Sequence, residues 1–116
     1  MLLQKLEHEA DAIIGLVKLQ RTNIRYKNNI MYNELTSLQN NVLYSVFRKS
    51  IFPSLKNKRD LGYLLGMSFE CVEIWFRKFR KSKDLSNVKL EKISSYTILN
   101  IYLNEAVNLR SSYNNN

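Results

Sequence analysis

Val72-Glu73-Ile74-Trp75-Phe76-Arg77-Lys78-Phe79-Arg80-Lys81 carries two helical faces in one stretch. Val72, Trp75, Phe76 and Phe79 recur at the 0, 3, 4, 7 spacing of an apolar stripe on a helix. Ile74, Arg77, Lys78 and Lys81 repeat that spacing two residues later. Two residues are about 200° of helix rotation, so the second stripe is predicted to face away from the core. A helix packed on one side and cationic on the other can lie in a DNA major groove. A core helix with a solvated basic face would carry the same pattern, so the rest of the chain has to decide.

Outward from this helix, the 116 residues bound the answer to one small domain with appendages. An apolar fraction of 45% suffices for a core. One Pro and three Gly point to long helices and few tight turns, so the chain reads as all-α. The net charge is +8, and it is uneven: residues 21–60 carry eight Lys/Arg against two acids, and residues 61–84 five against three. That surplus implies a polyanionic partner, or a basic surface kept for solubility. The single cysteine, Cys71, excludes an internal disulfide and a Cys-based zinc site and fits a reducing compartment. The first residues lack the long apolar stretch of a signal peptide, and no run approaches the length of a membrane span.

Residues 1–22 read as an amphipathic helix. Leu2, Leu6, Ile13, Leu16 and Val17 share one broad stripe, widened by Leu3, Ala10, Ile14 and Leu19. Such a segment needs a partner surface to be stable. Docking on its own domain and a dimer contact satisfy that need equally. Residues 23–35 form a basic linker or arm with Arg25 and Lys27. Thr36 or Ser37 caps a helix to about Lys49, with Leu38, Val42, Leu43, Val46 and Phe47 inward. Phe52-Pro53 breaks it. Ser54 caps a short helix to about Leu65 bearing Leu55, Leu61, Leu64 and Leu65. Gly66 ends that helix, and Ser68 caps the two-faced one, predicted over residues 69–84. A further apolar segment at 86–110 is predicted helical from about Glu91, and residues 111–116 read as a disordered tail.

Three helices of these lengths, the last two joined by a turn at Gly66, make a helix-turn-helix. Over about residues 30–85 the chain resembles the homeodomain family. The resemblance rests on Leu43 and Phe47, the Phe52-Pro53 pair, Leu61 and Leu65, then Val72, Ile74-Trp75-Phe76 and Arg80. It implies a three-helix homeodomain at 36–85, flanked by the two amphipathic helices. It also implies base contacts from Ile74, Arg77, Lys78 and Lys81, and phosphate contacts from Lys58, Arg59, Trp75, Arg80 and Lys83. Arg25 and Lys27 would belong to a minor-groove arm.

The chain departs from the family pattern at telling positions. The family's adenine-reading Asn is Lys78 here, which can only donate. Lys78 therefore suits a guanine edge, or reaches only a phosphate. An Arg that pairs with a first-helix acid in many members is Phe79, and the matching first-helix residue is Tyr44. An ion pair is thus expected to be replaced by an aromatic pair. Phe52 stands where a Tyr often contacts phosphate, and the residues just before the first helix lack the arm's usual Arg.

The resemblance implies a nuclear transcription regulator that binds double-stranded DNA. The size and flanking helices are similar to fungal mating-type and other small eukaryotic homeodomain proteins, which implies a homodimer or a heterodimer with another homeodomain protein. The alternative is a homeodomain-derived interaction protein that has lost specific reading and works through its flanking helices. No membrane association, cofactor or metal is expected. His8, beside Glu7 and Glu9, reads as a surface residue, and no phosphate loop or nucleophile constellation is present, so no enzyme activity is expected.

Overall fold

The computed structural model describes residues 2–22, 35–82 and 92–114. The described residues form five helices and no strand: α1 (Leu2–Thr22), α2 (Ser37–Lys49), α3 (Leu55–Leu65), α4 (Phe69–Ser82) and α5 (Ser95–Asn114). The expected arm residues Arg25 and Lys27, Lys83, and the apolar Val88 and Leu90 lie outside the described residues.

Local chemistry sets the boundaries of the central three helices. Thr36 Oγ1 accepts from the Gln39 amide at 3.1 Å, and Gln39 Oε1 accepts from the Thr36 amide at 2.8 Å, a reciprocal capping box. The Gln39 side-chain amide also donates to the Leu65 carbonyl at 2.9 Å, tying the start of α2 to the end of α3. Ser54 Oγ accepts from the Asn57 amide, and Ser68 Oγ from the Cys71 amide, both at 3.1 Å. Gly66 ends α3 in the left-handed region at φ 67°, ψ 34°, where an L side chain is strained.

The expected inward residues of α2 are buried: Val42, Leu43, Val46 and Phe47. They meet Leu61, Leu64 and Leu65 of α3 and Val72 and Phe76 of α4 in one core. Each such side chain contributes about 1.5–3 kcal/mol relative to exposure. Leu55 is the exception in α3. It is expected to carry the apolar face, yet it is 52% exposed, because it lies on the side of α3 away from the buried Asn57, Leu61 and Leu64.

Both flanking helices pack on this trihelical unit. α1 lies on α3 and α5, and α5 lies on α2 and α3. Ala10 and Ile14 of α1 are buried, as are Ile98 and Leu99 of α5. The α1 stripe nonetheless overfills that contact. Leu2, Leu3, Ile13, Leu16 and Leu19 remain exposed, because the domain covers only a narrow strip of a helix that is apolar over more than half its circumference. α5 begins at Ser95, later than expected, and continues past Arg110 to Asn114, where a tail was expected.

A polar junction holds α1, α3 and α5 together. The two Glu7 carboxylate oxygens accept from the Ser95 amide at 2.8 Å and the Tyr96 amide at 3.0 Å, capping α5 from another helix. Lys56 Nζ bridges Asp11 at 2.7 Å and Asp60 at 3.4 Å and also donates to Ser95 Oγ. Ser95 Oγ donates to Asp60 at 2.9 Å, and Asn57 Nδ2 donates to the Ile93 carbonyl at 3.0 Å.

Candidate nucleic-acid interface

α4 carries the two faces its sequence encodes. Val72 and Phe76 have no exposed surface and face α3. Trp75 and Phe79 are half-buried at the flank of that stripe. On the opposite side Arg77, Lys78 and Lys81 are exposed and Ile74 is half-buried. Among the expected base-reading residues, the structure therefore gathers all four on one outward strip.

An aromatic cluster fixes the rotation of this helix. Trp75 stacks on Phe79 with centroids 4.6 Å apart and planes 7° apart, and Phe47 meets both edge-on. Tyr44 stands edge-on to Phe79 at 5.6 Å, so an aromatic pair does occupy the position expected from the sequence. Such a pair contributes about 0.5–1.5 kcal/mol beyond burial. It needs no counter-charge, so it leaves the basic strip's field undiminished. The indole of Trp75, expected to reach a phosphate, is committed by its ring faces to this cluster.

The remaining expected phosphate contacts divide into two groups. Arg59 is exposed on α3. Arg80 and Lys58 are tied to their own chain. Arg80 Nη1 donates to the Ile51 carbonyl at 2.8 Å, and its guanidinium lies 4.3 Å from the centre of the Phe52 ring. The fork is thereby oriented, with other N–H donors left over from that bond. Burial, then the neighbouring Arg77 charge, lowers the Arg80 pKa, but a guanidinium stays protonated through the physiological range. Lys58 Nζ pairs with Glu73 at 2.6 Å and lies over the Phe69 ring. The Lys58 hydrogen bond, and then its charge, holds the Glu73 carboxyl below its ordinary value. Lys58 thus neutralises the one acid in the middle of α4.

Sequence reasoning missed two parts of this site. Phe52, which the sequence marks only as a helix breaker without a hydroxyl, is the platform under Arg80. Glu73 as the partner of Lys58 left no trace in either helix, since the pair spans 15 residues and two elements. None of the described helices is long and apolar enough to cross a membrane.

Two curated homeobox proteins of Encephalitozoon cuniculi (strain GB-M1) are similar to this chain. Homeobox protein HD-4 is 34% identical over 86 residues, covering 72% of this chain and 65% of its own length. Homeobox protein HD-7 is 29% identical over 94 residues, covering 78% of this chain and 85% of its own. The chain thus spans slightly less than two thirds of the first of these relatives. No family model matches the chain, and no solved structure does.

Proposed function

Because this chain is a divergent member of the homeodomain family, we propose that it binds duplex DNA with α4 in the major groove and regulates transcription in the nucleus. The observation that carries this reading is the exposed strip of Arg77, Lys78 and Lys81 directly opposite the buried Val72 and Phe76. Ile74, Arg77, Lys78 and Lys81 are the base-facing residues. Arg59 and Arg80 contact phosphates; Lys83 adds a phosphate contact and Arg25 and Lys27 an arm, all three lying outside the described residues. Trp75 and Lys58, the other expected phosphate contacts, also hold α4 in position. The reaction chemistry of an enzyme has no part in this reading.

A salt titration tests it. Log affinity for any duplex falls against log salt with a slope near −0.9 per neutralised phosphate, so a slope of several units is expected. Arg80→Ala weakens binding to all duplexes alike. No binding at low salt, or a flat salt dependence, would instead favour a homeodomain turned interaction protein. The exposed Leu2, Leu3, Ile13, Leu16 and Leu19 of α1 favour that second reading to the extent that they mark a protein contact. They equally support dimerisation of a DNA-binding chain, with itself or with another homeodomain protein.

A further inference from the structure

Resting on the major-groove reading above, we propose that α4 is a guanine reader: Lys78 addresses one guanine and Arg77 a neighbouring one. The argument is an inventory of donors and acceptors on the strip that faces outward.

α4 contains no Asn or Gln, the residues whose amide matches the adenine edge by donating to N7 and accepting from N6–H. Its acids are Glu70 and Glu73. Glu73 is held by Lys58 at 2.6 Å, at the side of the helix toward α3. Glu70 is exposed in the first turn, two helical turns before Lys78. The amide of α3, Asn57, is buried and bonded to the Ile93 carbonyl. The last two turns of the outward strip therefore present donors, from Arg77, Lys78 and Lys81, together with the aliphatic Ile74.

Each base pair answers such a strip differently. Cytosine shows an amino donor, and adenine an amino donor beside one acceptor, so at each an ammonium faces a like donor. Thymine offers one acceptor and a methyl group. Guanine alone offers two acceptors, O6 and N7, and it takes a guanidinium bidentately. Arg77 and Lys78 are consecutive on the helix, about 100° apart in direction, so they address different base pairs. Ile74, one turn earlier, is placed to meet a thymine methyl. Phosphate anchoring by Arg80, whose guanidinium is oriented by the Ile51 carbonyl and Phe52, leaves this strip to the bases.

Selection from random duplexes by the full chain, followed by competition titrations with single-pair changes, tests the proposal. The selected site is expected to contain adjacent guanines. Replacing the guanine opposite Lys78 by 7-deazaguanine removes the N7 acceptor and should lower affinity, whereas inosine keeps O6 and N7 and should bind unchanged. Lys78→Asn should switch the preference at that one pair from guanine to adenine, a change of roughly 5- to 150-fold in relative affinity. Arg77→Ala should relax the neighbouring position and no other. If the chain binds duplexes with the expected salt dependence but selects no guanine, the proposal fails and the DNA-binding reading stands. A uniform loss of affinity in Lys78→Asn, with the preferred sequence unchanged, overturns it in the same way and puts Lys78 on a phosphate. If no duplex is bound at low salt, both fall.

Discussion

Gly62 shows how closely the turn before α4 folds back on α3. A Cβ added there would stand 2.7 Å from the Met67 carbonyl oxygen, a backbone atom that cannot swing aside. The same turn is closed by the Met67 amide donating to the Gly62 carbonyl at 2.9 Å. Gly62→Ala is therefore expected to destabilise the fold by about 1–3 kcal/mol, read as a drop in urea midpoint. An unchanged midpoint would mean that the turn relaxes freely. Phe52 makes a second residue-scale case. Its ring is 60% exposed and lies under the Arg80 guanidinium, an arrangement worth ~0.5–1 kcal/mol at an exposed site. Phe52→Ala should lower affinity for all duplexes by about two- to fivefold, with no change in preferred sequence. A change confined to one sequence would place Phe52 against a base instead.

Among the helices, the junction of α1, α3 and α5 carries the clearest consequences. Glu7 caps α5 with both carboxylate oxygens, so α1 and α5 are expected to be lost together. Glu7→Ala should cost about 0.5–2 kcal/mol and speed hydrogen exchange at the Ser95 and Tyr96 amides. Exchange that stays slow would show that water caps α5 as well. The same junction has a pH signature. Burial raises the Asp60 carboxyl, outweighing Ser95 and Lys56. The Asp11 hydrogen bond from Lys56, reduced by burial, lowers the Asp11 carboxyl. For Lys56, burial alone pulls the pKa down, but the two aspartates outweigh it and leave it raised. A raised carboxyl pKa means the folded state holds the proton more tightly than the unfolded chain. Asp60 thus weakens the fold at neutral pH, and that loss is recovered as pH falls through its raised pKa toward the ordinary Asp value. Asp11 contributes stability that is lost only at pH below that ordinary value. Urea midpoints of the unmodified chain and Asp60→Asn should therefore converge or cross as pH is lowered from 7 toward 4. A constant gap would mean that Asp60 does not titrate in this window.

For the molecule as a whole, the flanking helices do two things at once. They complete the core through Ala10, Ile14, Ile98 and Leu99, and they leave Leu2, Leu3, Ile13, Leu16, Leu19, Leu103 and Val107 exposed. Burying part of that surface in a second protomer is the proposed reason for keeping it apolar. Sedimentation at tens of micromolar should then show self-association. Leu16→Glu should reverse it without lowering the melting temperature, since Leu16 is 62% exposed in the single chain. A compact monomer at these concentrations that binds no hydrophobic dye would restrict α1 and α5 to finishing the core.

What was legible in the sequence was local. Thr36, Ser54, Ser68 and Gly66 mark helix ends because a cap is a contact between residues three or four apart. The outward strip of α4 followed from spacing, because residues two apart on a helix lie on nearly opposite sides. The Tyr44–Phe79 pair was readable because two departures from one family pattern compensate each other. Only the tertiary structure decided which edge of α1 is buried, since a stripe this broad satisfies periodicity in several rotations. Only it paired Glu7 with the start of α5, 88 residues away, Lys58 with Glu73, and Arg80 with Ile51 and Phe52. Those partners belong to different elements, and long side chains choose among them only after packing has fixed how the helices cross. Periodicity records where a helix is apolar; it holds no record of what that helix meets.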